Sequence, residues 1–134
     1  MTFARRTTVS VEKTRAEIER VVKRYGAKGF ASAWQGDTVR VEFLARDRHI
    51  RMTMTEPPGE QPTRSKWRSL LLLVKAKLEA VDAKITSFEE AFLGDIVMPD
   101  GRTVYEATKG PIKVAYEKKE PTNLLSAPRQ QGAA

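Results

Sequence analysis

Residues 64–84 read RSKWRSLLLLVKAKLEAVDAK, and the fold turns on how this stretch is built. It contains neither Gly nor Pro and is rich in Leu, Ala and Lys, all strong helix formers. At about 100° per residue, Trp67, Leu70, Leu71, Val74, Leu78 and Val81 share one broad face. Arg64, Arg68 and Lys75 flank that face on one side, and Lys66, Lys77 and Lys84 on the other. Leu72, Leu73, Ala76 and Ala80 form a second apolar patch roughly opposite the first. A helix apolar on two sides is packed on two sides, by its own domain or by another chain. Lysines interrupt it well before the roughly 20 apolar residues that a bilayer requires, so it does not read as a membrane span.

Upstream, three short segments alternate between apolar and polar residues. Gly29 to Gln35 sets Phe30, Ser32 and Trp34 against small residues. Gly36-Asp37 supplies turn chemistry, and Thr38 to Ala45 then places Val39, Val41 and Phe43 on one face, with Arg40 and Glu42 on the other. Arg46-Asp47 makes a second tight connection. Arg48 to Thr55 follows, with Ile50, Met52 and Met54 inward and His49, Arg51 and Thr53 outward. The spacing predicts an antiparallel sheet with one apolar face. Before it, Ser10 suits the N-cap of a helix over about 11–25, with Val11, Ile18, Val21, Val22 and Tyr25 on one face and Gly26 placed to end it. Residues 1–9 read as a polar arm carrying Arg5 and Arg6.

The segment EPPGEQP, 56–62, reads as a loop. After the long helix, Ser87 and Glu90 have capping-box spacing, and Phe88, Phe92 and Ile96 give a further helix over 87–97 a core face. Pro99-Asp100-Gly101 is a turn signal. The expected fold is therefore α+β, in the order α-β-β-β-α-α, with a three-stranded antiparallel sheet packed on the long central helix. Trp67, Leu71, Val74 and Leu78 are expected to lie against Val41, Phe43, Ile50 and Met52. Residues 1–106 form the single domain. Residues 107–134, where Pro recurs among Lys, Glu, Gln and Ala and apolar residues thin out, read as a largely disordered extension.

A chain of 134 residues suits one domain with a single core. Its 24 Lys and Arg against 17 Asp and Glu leave a net charge of +7, compatible with a polyanionic partner and equally with a soluble protein that has a basic surface. The absence of cysteine excludes disulfides and Cys-based metal sites. The opening MTFARRTTVSVEK lacks the apolar run of a secretory signal, and with the missing cysteine this predicts a cytoplasmic location.

No phosphate-binding glycine loop, nucleophile elbow or paired metal-ligand motif is present. His49 is the single histidine, with no second one to share a metal or a proton relay. Glu42, Asp47, Glu89 and Asp95 carry no spacing that assigns them a joint chemistry. The sequence thus supplies no catalytic residue, no metal site and no cofactor.

Binding has more support. The order helix, three strands, helix matches that of double-stranded RNA-binding domains, an analogy of topology alone. The start of the long helix, Arg64-Ser65-Lys66-Trp67-Arg68, joins cations to the free N–H groups of a helix N-terminus. Arg64, Lys66, Arg68 and Lys75, with the outward Arg40 and Arg51, are the candidate nucleic-acid contacts. Trp67 reads as core. Leu72, Leu73, Ala76 and Ala80 are the candidate protein contact, to be covered by the helix over 87–97 or by a second copy in a homodimer.

The opening SVEKTRAEIERVVKRYGA and the run WRSLLLLVKAKLEAVDAKITSFEEAFLGDIVMPDGRTVYE, with KAKLEAV and PDGRTV most distinctive, resemble a family of small uncharacterised proteins encoded by bacteriophages and prophages. The resemblance spans about residues 7–106. It implies a phage-encoded protein acting inside a bacterial host cell and carries over no site residues. Two roles follow as expectations. One is a non-catalytic accessory protein that binds nucleic acid through charge, largely without regard to sequence. The other is an interaction module that inhibits or recruits a host or phage protein.

Overall fold

The computed structural model of the chain describes residues 9–124. The arm carrying Arg5 and Arg6 and the residues from 125 onward lie outside the described residues. Helix α1 (Val9–Arg24) leads into strands β1 (Gly29–Gln35), β2 (Thr38–Ala45) and β3 (Arg48–Thr55). Then come the long helix α2 (Glu60–Asp82), a short α3 (Phe88–Ala91), a 3₁₀ turn (Leu93–Asp95) and α4 (Val104–Lys118). The sheet is an antiparallel meander in the order β1-β2-β3.

Both hairpins close through two residues, because Gln35 pairs with Thr38 and Ala45 with Arg48. Gly36 takes φ 61°, and Arg46 and Asp47 take φ 53° and 61°. These left-handed conformations give the twist that lets two strands continue side by side. Asp tolerates that region because its short side chain bonds locally. Gly26 at φ 106° ends α1 as its position implied.

Val39, Val41, Phe43, Ile50 and Met52 line the inner sheet face and share one buried cluster with Val11, Ile18, Val21 and Val22 of α1 and Trp67, Leu70, Leu71, Val74 and Leu78 of α2. The face of α2 read from periodicity is the face that is buried. The Trp67 indole N–H is buried without loss, because it donates to Glu56 Oε2 at 2.6 Å.

Four stretches differ from the sequence reading. Helix α1 already includes Val9, so Ser10 lies within it and is not its N-cap. Helix α2 starts four residues early, at Glu60, inside the segment read as loop. Pro62 falls in its first turn, where a backbone N–H has no intrahelical acceptor anyway. The helix over 87–97 is shorter: it runs from Ser87, whose capping box with Glu90 is formed, only to Ala91. The 3₁₀ turn then hands Ile96 to an antiparallel bridge with Ile50 on the far edge of β3. Val97 N–H donates to His49 C=O at 2.8 Å, and Val97 bridges Thr103. Lastly, residues 107–118, assigned by composition to a disordered extension, make up most of α4. Its capping box, Thr103 with Glu106, secures the first turn, and the helix continues through Gly110 and Pro111 despite their low propensity. It packs chiefly on the 3₁₀ turn and keeps Tyr105, Ile112, Val114 and Tyr116 exposed.

Candidate nucleic-acid interface

The sequence-derived cations fall on two sides of the sheet. On α2, Arg64, Arg68 and Lys75 share one flank of the helix, which spans about 16 Å at 1.5 Å per residue. Arg64 is steadied within the helix, 3.5 Å from Glu60 Oε1 and donating to Gln61 Oε1 at 2.5 Å. Arg68 is exposed and Lys75 half-buried. Neither has an ion-pair partner among the described residues. Lys66 leaves the helix on the other flank, where its ammonium donates to Thr55 C=O at 2.6 Å. It pins the end of β3 to the start of α2.

Arg40 and Arg51 lie on the outer sheet face, away from α2, and both are engaged by Glu42. Arg40 Nη1 is 3.4 Å from Glu42 Oε2, and Arg51 Nε is 3.6 Å from the same oxygen. Arg51 also donates to Gly101 C=O at 3.0 Å, and its side chain is only 18% exposed. Its Nε is buried without a hydrogen bond of its own. Arg51 therefore ties the Pro99–Arg102 turn to β3 and has little surface to offer a phosphate. His49 Nε2 completes the cluster, 2.5 Å from Glu42 Oε1. Since an ionised carboxylate only accepts, the Nε2 position carries the proton. Burial alone would raise the Glu42 carboxyl, but the hydrogen bond from His49 and the charges of Arg51, His49 and Arg40 outweigh it and hold it below the usual carboxylate value.

The other carboxylates weighed from the sequence do not converge on a site. Glu89 is paired with Arg48 at 2.8 Å. Asp95 sits beside Lys77, and burial raises its carboxyl despite that cation. Among the described residues, no group of three or more His, Cys, Asp or Glu side chains is placed to hold a metal ion. No helix among them is long and apolar enough to cross a membrane.

The second apolar patch of α2 faces outward. Leu72 is 59% and Leu73 46% exposed; Ala76 is exposed and Ala80 half-buried. Among the described residues α3 does not cover it. Instead α3 sits beside Lys77, whose ammonium donates to Ala91 C=O and lies 5.5 Å from the Phe92 ring centroid. No protein-family model, curated protein or solved structure matches the chain.

Proposed function

We propose that the protein is a non-catalytic, phage-encoded accessory protein that binds nucleic acid through charge. The observation that carries this reading is the single basic flank of α2, where Arg64, Arg68 and Lys75 follow one another with no acid between them until Glu79. Duplex DNA presents one negative charge per about 3.4 Å of its axis on each strand, so a 16 Å helix flank runs beside roughly five phosphates of one strand. Three cations on one rigid rod meet several of these without ordering new backbone. Nothing in the arrangement reads bases, so the binding is sequence-independent. Lys66, Arg40 and Arg51 support the scaffold and stand outside this contact.

A mobility shift titrated with salt tests it, using duplex DNA, single strands and RNA. Each phosphate contact on duplex DNA contributes about 0.9 to the slope of log K against log salt. Replacing Arg64, Arg68 and Lys75 together by Ala should then flatten that slope by up to about 2.7, while Arg40→Ala leaves it unchanged. Absence of binding at ~50 mM salt, or a slope indifferent to the triple replacement, defeats the reading.

The exposed Leu72–Leu73 pair favours a second reading, a module that docks a host or phage protein on the outer face of α2. Apolar docking would respond little to salt, because screening acts mainly on exposed charge.

A further inference from the structure

Helix α4 meets the rest of the molecule through one side. Thr108 is buried there, and Val104, Ala107, Pro111 and Ala115 are half-buried around it. The solvent side is not uniform. At about 100° per residue, Tyr105, Lys109, Ile112, Lys113 and Tyr116 fall within an arc of about 100°. All five are exposed, Tyr105 by 60% and Tyr116 by 81%. Single exposed apolar residues are ordinary on any surface. Two aromatic rings in register with two lysines on one helical stripe are a more specific arrangement.

The stripe carries positive charge and no acid. Lys109 Nζ stands 5.9 Å from the Tyr105 ring centroid, so cation and ring are already side by side. Glu106 lies just past the arc, and its Oε1 is turned back to accept from the Thr103 N–H at 2.8 Å. Glu117 lies further round, beyond Lys113. The character also differs from that of the outer face of α2, where Leu72 and Leu73 make a purely aliphatic patch. A tyrosine ring offers a flat π-face and keeps its hydroxyl in water, at the rotamer cost of only two side-chain torsions.

We infer that α4 is a contact for single-stranded nucleic acid, with bases stacked on Tyr105 and Tyr116 and with Lys109 and Lys113 set against the phosphates between them. This rests on the nucleic-acid reading above and adds to it a strand form and a second surface. In a duplex each base is covered by its neighbours and shows only its edge, whereas an unpaired strand can lay its base faces on aromatic rings. The two tyrosines are eleven positions apart, about 16 Å along the helix, so each takes its own base. Both lysines fall within that interval. Every base has a π-face, so such stacking tolerates any sequence, in keeping with an arrangement that reads no base edges.

Mobility shifts with oligodeoxythymidylate, oligodeoxyadenylate and duplex DNA test the proposal. Stacking is worth about 1–3 kcal/mol per base on alanine substitution, so Tyr105→Ala and Tyr116→Ala should each weaken single-strand binding about 5- to 150-fold. Duplex binding should be unchanged in both. Phe at either position keeps the ring and should restore single-strand binding. Lys109→Gln/Lys113→Gln should flatten the single-strand salt slope by about 1.4, at roughly 0.7 per contact. Val114→Ser, on the opposite side of the helix, should change nothing. Both tyrosines are exposed, so urea midpoints of the Ala variants should match that of the wild type. Independently of any variant, ultraviolet crosslinking to a bromodeoxyuridine strand should label the peptide carrying Tyr105 or Tyr116. Single-strand binding indifferent to the Ala variants, or loss that Phe does not restore, overturns this proposal. Equal losses on duplex and single strands overturn it too. In each of those cases duplex binding through Arg64, Arg68 and Lys75 can still stand. A chain that binds neither form defeats both readings.

Discussion

Phe92 joins three parts of the molecule, and truncating it tests how they are held. It is fully buried, meets Phe43 of β2 edge-on at 5.7 Å, and lies tilted against Phe88 of α3 at 4.9 Å. Lys77 of α2 stands 5.5 Å from its ring centroid. Cutting a buried Phe to Ala costs about 3–5 kcal/mol through lost transfer and a residual cavity. Each aromatic pair adds about 0.5–1.5 kcal/mol beyond area burial, so Phe92→Ala belongs at the upper end, about 4–5 kcal/mol. Phe92→Leu keeps most of the apolar bulk and loses chiefly the ring geometry, so its cost should be about 1–3 kcal/mol. Urea titration followed by tryptophan fluorescence resolves these values, since Trp67 is fully buried and its emission shifts on exposure. The midpoint should fall with the slope unchanged, the mark of altered stability without a change in cooperativity. A loss below about 2 kcal/mol for Phe92→Ala, or equal losses for the two variants, refutes the claim that ring packing fastens α3 to the sheet.

Leu71→Ala should cost about 2–5 kcal/mol in the same titration; a loss under about half a kcal/mol would contradict the buried face of α2. Thr103→Ala removes the cap of α4 and should destabilise by about 1 kcal/mol, with faster hydrogen exchange confined to the first turns of that helix; unchanged exchange there would count against the cap. Glu42 titrates below its ordinary value of 4.5 in the folded protein, so its ion cluster stabilises fully above that value and loses its contribution as pH falls through the lowered one. The stability gap between wild type and Glu42→Gln should therefore be widest near neutrality and close in acid. A gap independent of pH would show that the His49–Glu42–Arg51 cluster contributes nothing electrostatic.

The three strands were legible to the residue, because two turn dipeptides bracket segments whose side-chain period is two. The buried face of α2 was legible for the same reason at period 3.6. The start of α2 was hidden by Pro57, Pro58 and Pro62, since composition does not distinguish a proline in a loop from one in a first helical turn. The helical character of 107–118 was hidden by Gly110 and Pro111, both poor helix formers. Within the candidate interface, the flank shared by Arg64, Arg68 and Lys75 follows from helical spacing alone. That Lys66 and Arg51 are tied to backbone carbonyls does not, because Gly101 is fifty residues from Arg51 and only the folded chain brings it there. The exposure of Leu72 and Leu73 was likewise undecidable from pattern, which shows an apolar face but not whether anything covers it.

The bridge from Ile96 to Ile50 also sets an order of events during synthesis. The β1–β2–β3 meander depends on neighbouring residues and can form as soon as residue 55 is available, whereas its far edge waits for Ile96 and Val97. At roughly 5–20 residues per second of translation, that interval lasts on the order of seconds, far longer than the microseconds in which hairpins form. For that time the β3 edge of a nascent sheet stands open. The chain is then most vulnerable to pairing with a neighbour on the same polysome, and slower elongation between residues 56 and 96 would prolong the exposure.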